Sequence, residues 1–144
     1  MDAQAQLDAF IDRFTPAVAA QGRAVLAWLD ARLPGAIRLV YDNYNALAVG
    51  YAATEKASAV TLSVALYPRW VSLFFMAGAQ LPDPSGLLSG SGGTIRHIRI
   101  DDLALLAHPA VAELLAAALA LSPLPDGPGA LIIKSVSAKQ RPRR

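Results

Sequence analysis

Gly90-Ser91-Gly92-Gly93 ends three residues before Arg96, and His97 and Arg99 follow on the same stretch. Glycines let backbone N–H groups converge on an anion, and arginine supplies a planar fork for phosphate or carboxylate. Ser91, Gly92 and Arg96 are therefore candidate ligand-binding residues. The spacing matches neither a P-loop nor a GxGxxG turn between strand and helix. A loop that needs positive φ, next to a solvated basic strand, explains the same residues without a ligand.

A second group is polar and aromatic. Tyr41, Asp42, Asn43, Tyr44 and Asn45 are consecutive, and Tyr51, Tyr67, Arg69 and Trp70 lie further along. Amides and phenols between aromatic walls are what a small-ligand pocket uses. Tyr41, Asn43, Asn45 and Arg69 are the candidates from this group. Asn43-Tyr44-Asn45 is equally an ordinary hairpin turn, since Asn tolerates left-handed backbone.

Metal and acid–base chemistry find fewer residues. His97 and His108 are the two histidines. His97 stands between two arginines, which disfavours a bound divalent cation, and His108 precedes a helix-starting proline. The first helix offers Asp2, Asp8 and Asp12 with Arg13 beside them, short of a dense acidic ridge for a hard cation. Asp101 and Asp102 are adjacent in sequence, so their side chains need not face each other. The chain has no cysteine, and no serine sits in a GxSxG setting. No catalytic residue, metal ligand or cofactor is named by these patterns.

The elements that must position the candidates follow from periodicity and punctuation. Leu7, Phe10, Ile11 and Phe14 recur at helical spacing over Ala3–Phe14. Thr15-Pro16 reads as an N-cap followed by proline at the first helical position. A second helix runs to about Leu33, with Val18, Val25, Leu26, Leu29 and Leu33 on its apolar side, and Pro34-Gly35 ends it. Four strands are expected next, at Ile37–Asn43, Leu47–Tyr51, Ala59–Tyr67 and Trp70–Met76. In the third, Val60, Leu62, Val64 and Leu66 alternate with Ala59, Thr61, Ser63 and Ala65. The loop 77–93 holds two prolines and five glycines. A fifth strand, Thr94–Ile100, leads to a short helical piece at Leu103–Leu106, which Asp101 or Asp102 could cap, and a last helix at Ala110–Leu121. Leu131–Ile133 could add an edge strand or pack back on the body. Consecutive short strand connections exclude an alternating parallel plan, so the expected fold is α+β. An antiparallel sheet of about five strands would carry the N-terminal and C-terminal helices on one face.

At 144 residues and 54% hydrophobic composition, one globular domain is expected over 1–133, with a basic tail at 134–144. The net charge of +2 is unevenly spread. Lys134, Lys139, Arg141, Arg143 and Arg144 make the tail +5, while eight basic and eleven acidic residues leave the body at −3. The tail lacks aromatic residues, which argues against a nucleic-acid site and for a disordered solubilising extension. Alternatively, Lys134 and Lys139 fold back to line the pocket of the glycine loop, so Lys134 joins the candidates. The N-terminus has no basic region ahead of an apolar run, and the apolar runs are too short to cross a bilayer, so no membrane partner is expected and the expected compartment is the cytoplasm. The Ala110–Leu121 helix is apolar on all sides, with Glu113 its only charge. Such a helix is deeply buried or packs on a second subunit, so a homodimer through it is one expectation.

The order WVSLFF, LPDP, GSG, RHIRI and HPAVAELLAAAL resembles the YdhG-like domain, a family of unknown function, over about Asp8–Leu121. The central YDNYNALAVGY and closing KSVSAKQRPRR resemble one branch of it. The resemblance implies a small α+β fold with helices packed on an antiparallel sheet. It also implies a frataxin-like iron chaperone as one functional alternative. The residues themselves favour a non-enzymatic binding or accessory domain for a small anionic ligand, with an uncharacterised enzyme as a further alternative.

Overall fold

The computed structural model describes all 144 residues. The chain opens with helices α1 (Ala3–Asp12) and α2 (Pro16–Arg32), separated by a cap made of Thr15. The Thr15 hydroxyl accepts from the Val18 N–H at 3.3 Å, and Pro16 occupies the first turn, where its missing N–H is no loss. Four strands follow: β1 (Ile37–Asp42), β2 (Leu47–Ala52), β3 (Val60–Leu66) and β4 (Val71–Phe75). After the long loop come β5 (Arg96–Arg99), a 3-10 turn (Leu103–Ala107), α3 (Pro109–Leu121) and β6 (Ala130–Val136).

The sheet has six strands in the order β5-β4-β3-β2-β1-β6. Neighbours from β1 to β5 pair antiparallel, and β6 pairs parallel with β1. The sheet is thus mixed, with one strand more than the five expected. The added strand is the Leu131–Ile133 stretch, extended to seven residues.

All three helices cover one face. Val40, Val49, Val64, Leu73 and Ile98 form a cross-strand row there, facing Leu7, Ile11, Val25, Leu29, Val111 and Leu115 in a core of 28 buried residues. The expected apolar side of α2, Val18, Val25, Leu26, Leu29 and Leu33, is buried throughout. Gly22 lets α2 lie on the sheet: a Cβ there would stand 2.5 Å from Leu66 Cδ2. Tyr51 is the largest buried side chain, and its hydroxyl donates to Asp30 Oδ1 at 2.7 Å. Burial, with the Asp30 carboxylate beside it, pushes that phenol far above its usual range.

Helix α3 is not apolar-buried on all sides. Val111, Leu114, Leu115 and Ala118 face the core, while Ala112, Glu113, Ala116 and Ala120 are exposed. Alanine favours the helix and adds little apolar surface, and Leu121 at the helix end is half exposed.

The tail is ordered. Arg143 is 3% exposed and its guanidinium meets Asp42 at 2.9 Å, against the expectation of a disordered extension. The physical reason is a buried carboxylate at the end of β1 that requires a cation.

Candidate functional site

The second face of the sheet is built differently. Cross-strand register places Tyr41, Ala48, Ala65, Ser72 and Arg99 in one row. Leu39, Gly50, Ser63, Phe74 and His97 form the next. The positions on β2 and β3 are all Gly, Ala or Ser, whereas Leu39 and Tyr41 on β1 and Phe74 on β4 are large. At ~4.8 Å per strand, β1 and β4 stand about 14 Å apart. Small side chains between large ones therefore leave a trough along the middle of the open face.

The trough is a groove of ≈ 680 Å³. Ala48, Ser63 and Ala65 form its floor. Asn43, Tyr44 and Asn45, from the β1–β2 turn, and Arg141 stand at one end. Tyr67 and Trp70 form a wall, and Phe74, Met76 and Ile95 close the other side. Nine of the 13 lining residues are hydrophobic, and none is acidic. The groove is within the size range of small-molecule sites and has their composition, apolar with a few polar groups.

Each wall has a local cause. Pro68-Arg69 turns the chain sharply between β3 and β4, and brings Tyr67 and Trp70 into a stack with centroids 4.6 Å apart and planes 16° from parallel. Arg99 lies 5.1 Å from the Trp70 ring and is held there by Asp101 at 2.7 Å. Phe74 meets His97 at 5.2 Å. Burial raises the Tyr67 phenol above its usual range. These contacts fix the rings before any ligand arrives.

The Asn43–Asn45 turn is pinned from the tail. The Ser137 N–H and the Gln140 Nε2 both donate to the Asp42 carbonyl, at 2.8 and 3.0 Å. The Arg141 N–H donates to the Tyr44 carbonyl at 2.9 Å. Arg143 donates to Asp42 Oδ1 at 2.9 Å and to the Asn43 carbonyl at 2.6 Å, with its guanidinium carbon 5.5 Å from the Phe14 ring. Arg143 thus sits beneath the turn on the helix side. The Arg141 guanidinium carbon lies on the open side, 5.6 Å from the Tyr44 ring.

Of the eight candidates from sequence, Asn43 and Asn45 line the groove. Tyr41 shares the open face, and its hydroxyl is buried without a hydrogen-bond partner. Arg69 is exposed at the turn beside Trp70. Lys134 donates to the Glu55 carbonyl at 3.0 Å and ties β6 to the β2–β3 connection. Ser91 and Gly92 are exposed outside the groove. Arg96 donates to the Gly92 and Ile95 carbonyls at 2.7 and 2.8 Å, so its fork closes its own loop. Ser91, Arg96 and Asn43 therefore do not line one cleft.

The glycine loop has its own partners. The Leu87 and Leu88 N–H groups converge on the Asp83 carboxylate, both at 2.9 Å, so a residue of the chain occupies that cradle. Gly90 takes φ 121°, which lets Ser89 pair with His97 at the outer edge of β5.

The acids of α1 are engaged as well. Asp2 caps the helix, Asp8 accepts from Gln4, and Asp12 pairs with Arg23 at 2.8 Å. Asp102 caps the 3-10 turn, and His108 Nδ1 accepts the Ala110 N–H at the start of α3. No three His, Asp or Glu side chains are grouped as a metal site would need.

Of the polar-aromatic group Tyr41, Asp42, Asn43, Tyr44, Asn45, Tyr51, Tyr67, Arg69 and Trp70, the fold brings Asn43, Tyr44, Asn45, Tyr67 and Trp70 to the groove, while Asp42 and Tyr51 are buried against Arg143 and Asp30. No group read from the sequence holds Ala46, Ala48, Ser63, Ala65, Phe74, Met76, Ile95 and Arg141. The available signal was the small-residue side of the alternation in β2 and β3, which registers as a continuous floor once the strands pair. No family model, curated protein or solved structure matches the chain.

Proposed function

We propose that this protein is a binding domain that takes a small ligand with a flat apolar body on the open face of its sheet. The observation that carries this is the groove itself: a floor of Ala48, Ser63 and Ala65 between ring walls already fixed by their own stacking. Pre-set walls lower the ordering cost of binding. A flat floor favours a flat ligand, and Asn43 and Asn45 offer amide hydrogen bonds at its edge.

Holding fits the lining better than transforming. The groove contains no carboxylate and no imidazole, so no ordinary general base lies within it. A nucleic-acid stacking surface fits less well, because Trp70 has Tyr67 on one side and Arg99 near its ring, leaving little free face for a base. The iron-chaperone alternative that the YdhG-like resemblance implies draws less support, because no three His, Asp or Glu side chains are grouped to hold a metal.

A thermal-shift screen of planar aromatic compounds tests the proposal, since a ligand of the native state raises apparent stability. Ala48→Phe and Ser63→Leu fill the floor from half-buried positions. Compounds that raise the midpoint of the wild type should leave both variants unmoved. Equal shifts in wild type and both variants would place the binding elsewhere and overturn the proposal.

A further inference from the structure

We propose, resting on that reading of the groove, that its ligand is an aromatic anion captured by Arg141. We also propose that the strap Ser137–Arg144 couples capture to the buried Asp42–Arg143 pair.

Arg141 is the one cation among the lining residues. Its guanidinium has neither an ion pair nor a hydrogen bond. Arg13, Arg23, Arg38, Arg99 and Arg143 each have a carboxylate within 4.0 Å. Its backbone is fixed by the bond to the Tyr44 carbonyl, and its side chain lies near the Tyr44 ring. A positive fork is therefore pre-placed at the groove mouth with its donors free. A carboxylate or phosphate on a flat ring would meet it while the ring rests on the floor. No acid of the lining opposes an anion there.

Arg141 reaches the groove because of Arg143. The Arg143 and Asp42 side chains are each 1% exposed and 2.9 Å apart. The latch is incompletely bonded: Asp42 Oδ2 and Arg143 Nε have no hydrogen-bond partner. The one other cation at Asp42 is Arg13, 3.6 Å from Oδ2, and Arg13 also donates to Gln140 of the strap. A buried pair with two unbonded atoms grips less firmly than a fully bonded one. Strap opening then removes Arg141 from the groove and loosens the Asn43–Asn45 wall together. By linkage, an anion on Arg141 must favour the closed strap as much as the closed strap favours the anion.

The test compares indole-3-acetate with indole-3-ethanol, which share a ring and differ in charge, by isothermal titration. Wild type should bind the acetate about tenfold tighter, near the contribution of one charge-assisted hydrogen bond. Exposed Arg141→Gln should bring the two within about twofold, and Arg143→Met should weaken both, the acetate more than the alcohol, because only the acetate also loses Arg141. Saturating acetate should slow trypsin cleavage after Lys139, inside the strap, more than saturating alcohol does. Equal affinity for both probes, unchanged in Arg141→Gln, would overturn the anion assignment and leave the groove as a site for neutral ligands. A cleavage rate indifferent to bound acetate would overturn the coupling. Binding of neither probe would count against the groove reading and this proposal together.

Discussion

The Asp42–Arg143 pair lends itself to a double-mutant cycle with Asp42→Asn, Arg143→Met and the combination. Both side chains are 1% exposed, so deleting either leaves a buried group without its charge partner. Breaking such a pair costs about 3–5 kcal/mol when the remaining charge stays buried. Here a second route exists, because the strap can lift and let water reach Asp42. The strap's other hydrogen bonds contribute about 1 kcal/mol each. Ordering its residues costs roughly 1–2 kcal/mol each. The ordering cost at least matches those bonds, so little besides the latch holds the strap down. Arg143→Met should therefore lose about 2–3 kcal/mol in urea unfolding, less than the full penalty. The coupling energy should be about 2 kcal/mol, well above the ~0.5 kcal/mol that independent sites show. Amide hydrogen exchange across 137–144 should rise sharply in Arg143→Met with the sheet still protected. Additive losses with unchanged exchange in the strap would refute the latch.

Three further outcomes follow from particular contacts. Tyr51→Phe removes the hydrogen bond to Asp30 and should cost about 1–2 kcal/mol at pH 8. The Tyr51 phenol is raised on folding, so its contribution is intact below about pH 10 and is lost above it as the unfolded phenol ionises. The gap between wild type and Tyr51→Phe should thus shrink toward pH 11; a constant gap contradicts the assignment. Gly35→Ala would place a Cβ 2.0 Å from the Pro125 carbonyl oxygen, so the 123–129 linker must move, at about 1–3 kcal/mol by thermal unfolding. Thr15→Ala deletes the α2 cap and should cost about 1 kcal/mol in the same assay.

Local signals carried most of the elements. The Thr15-Pro16 start of α2, the capping Asp102 and the alternation in β3 act over a few residues, and each lies where its pattern points. Long-range pairing was not legible in the same way. Strand β6 joins β1 across about ninety residues, and nothing in ALIIKSV specifies a parallel partner. The Arg143–Asp42 contact spans 101 residues, so the tail read as a solvated charge run. The glycine loop misled for a different reason. Its glycines and arginine are real neighbours, but residue types do not show whether amides or carbonyls face the arginine. Here carbonyls do. The groove lay between these cases. Its aromatic and amide residues could be grouped by type, while its floor exists only through the register of β2 on β3.

The most direct test of the groove is a map of amide chemical shifts during titration with indole-3-acetate. The account predicts saturable shifts concentrated at Asn43–Asn45, Ala48, Ser63, Ala65, Phe74 and Arg141, with α1 and the Gly90–Gly93 loop unmoved. Saturable shifts centred on that loop or on α1, with Ala48, Ser63 and Ala65 silent, would contradict it.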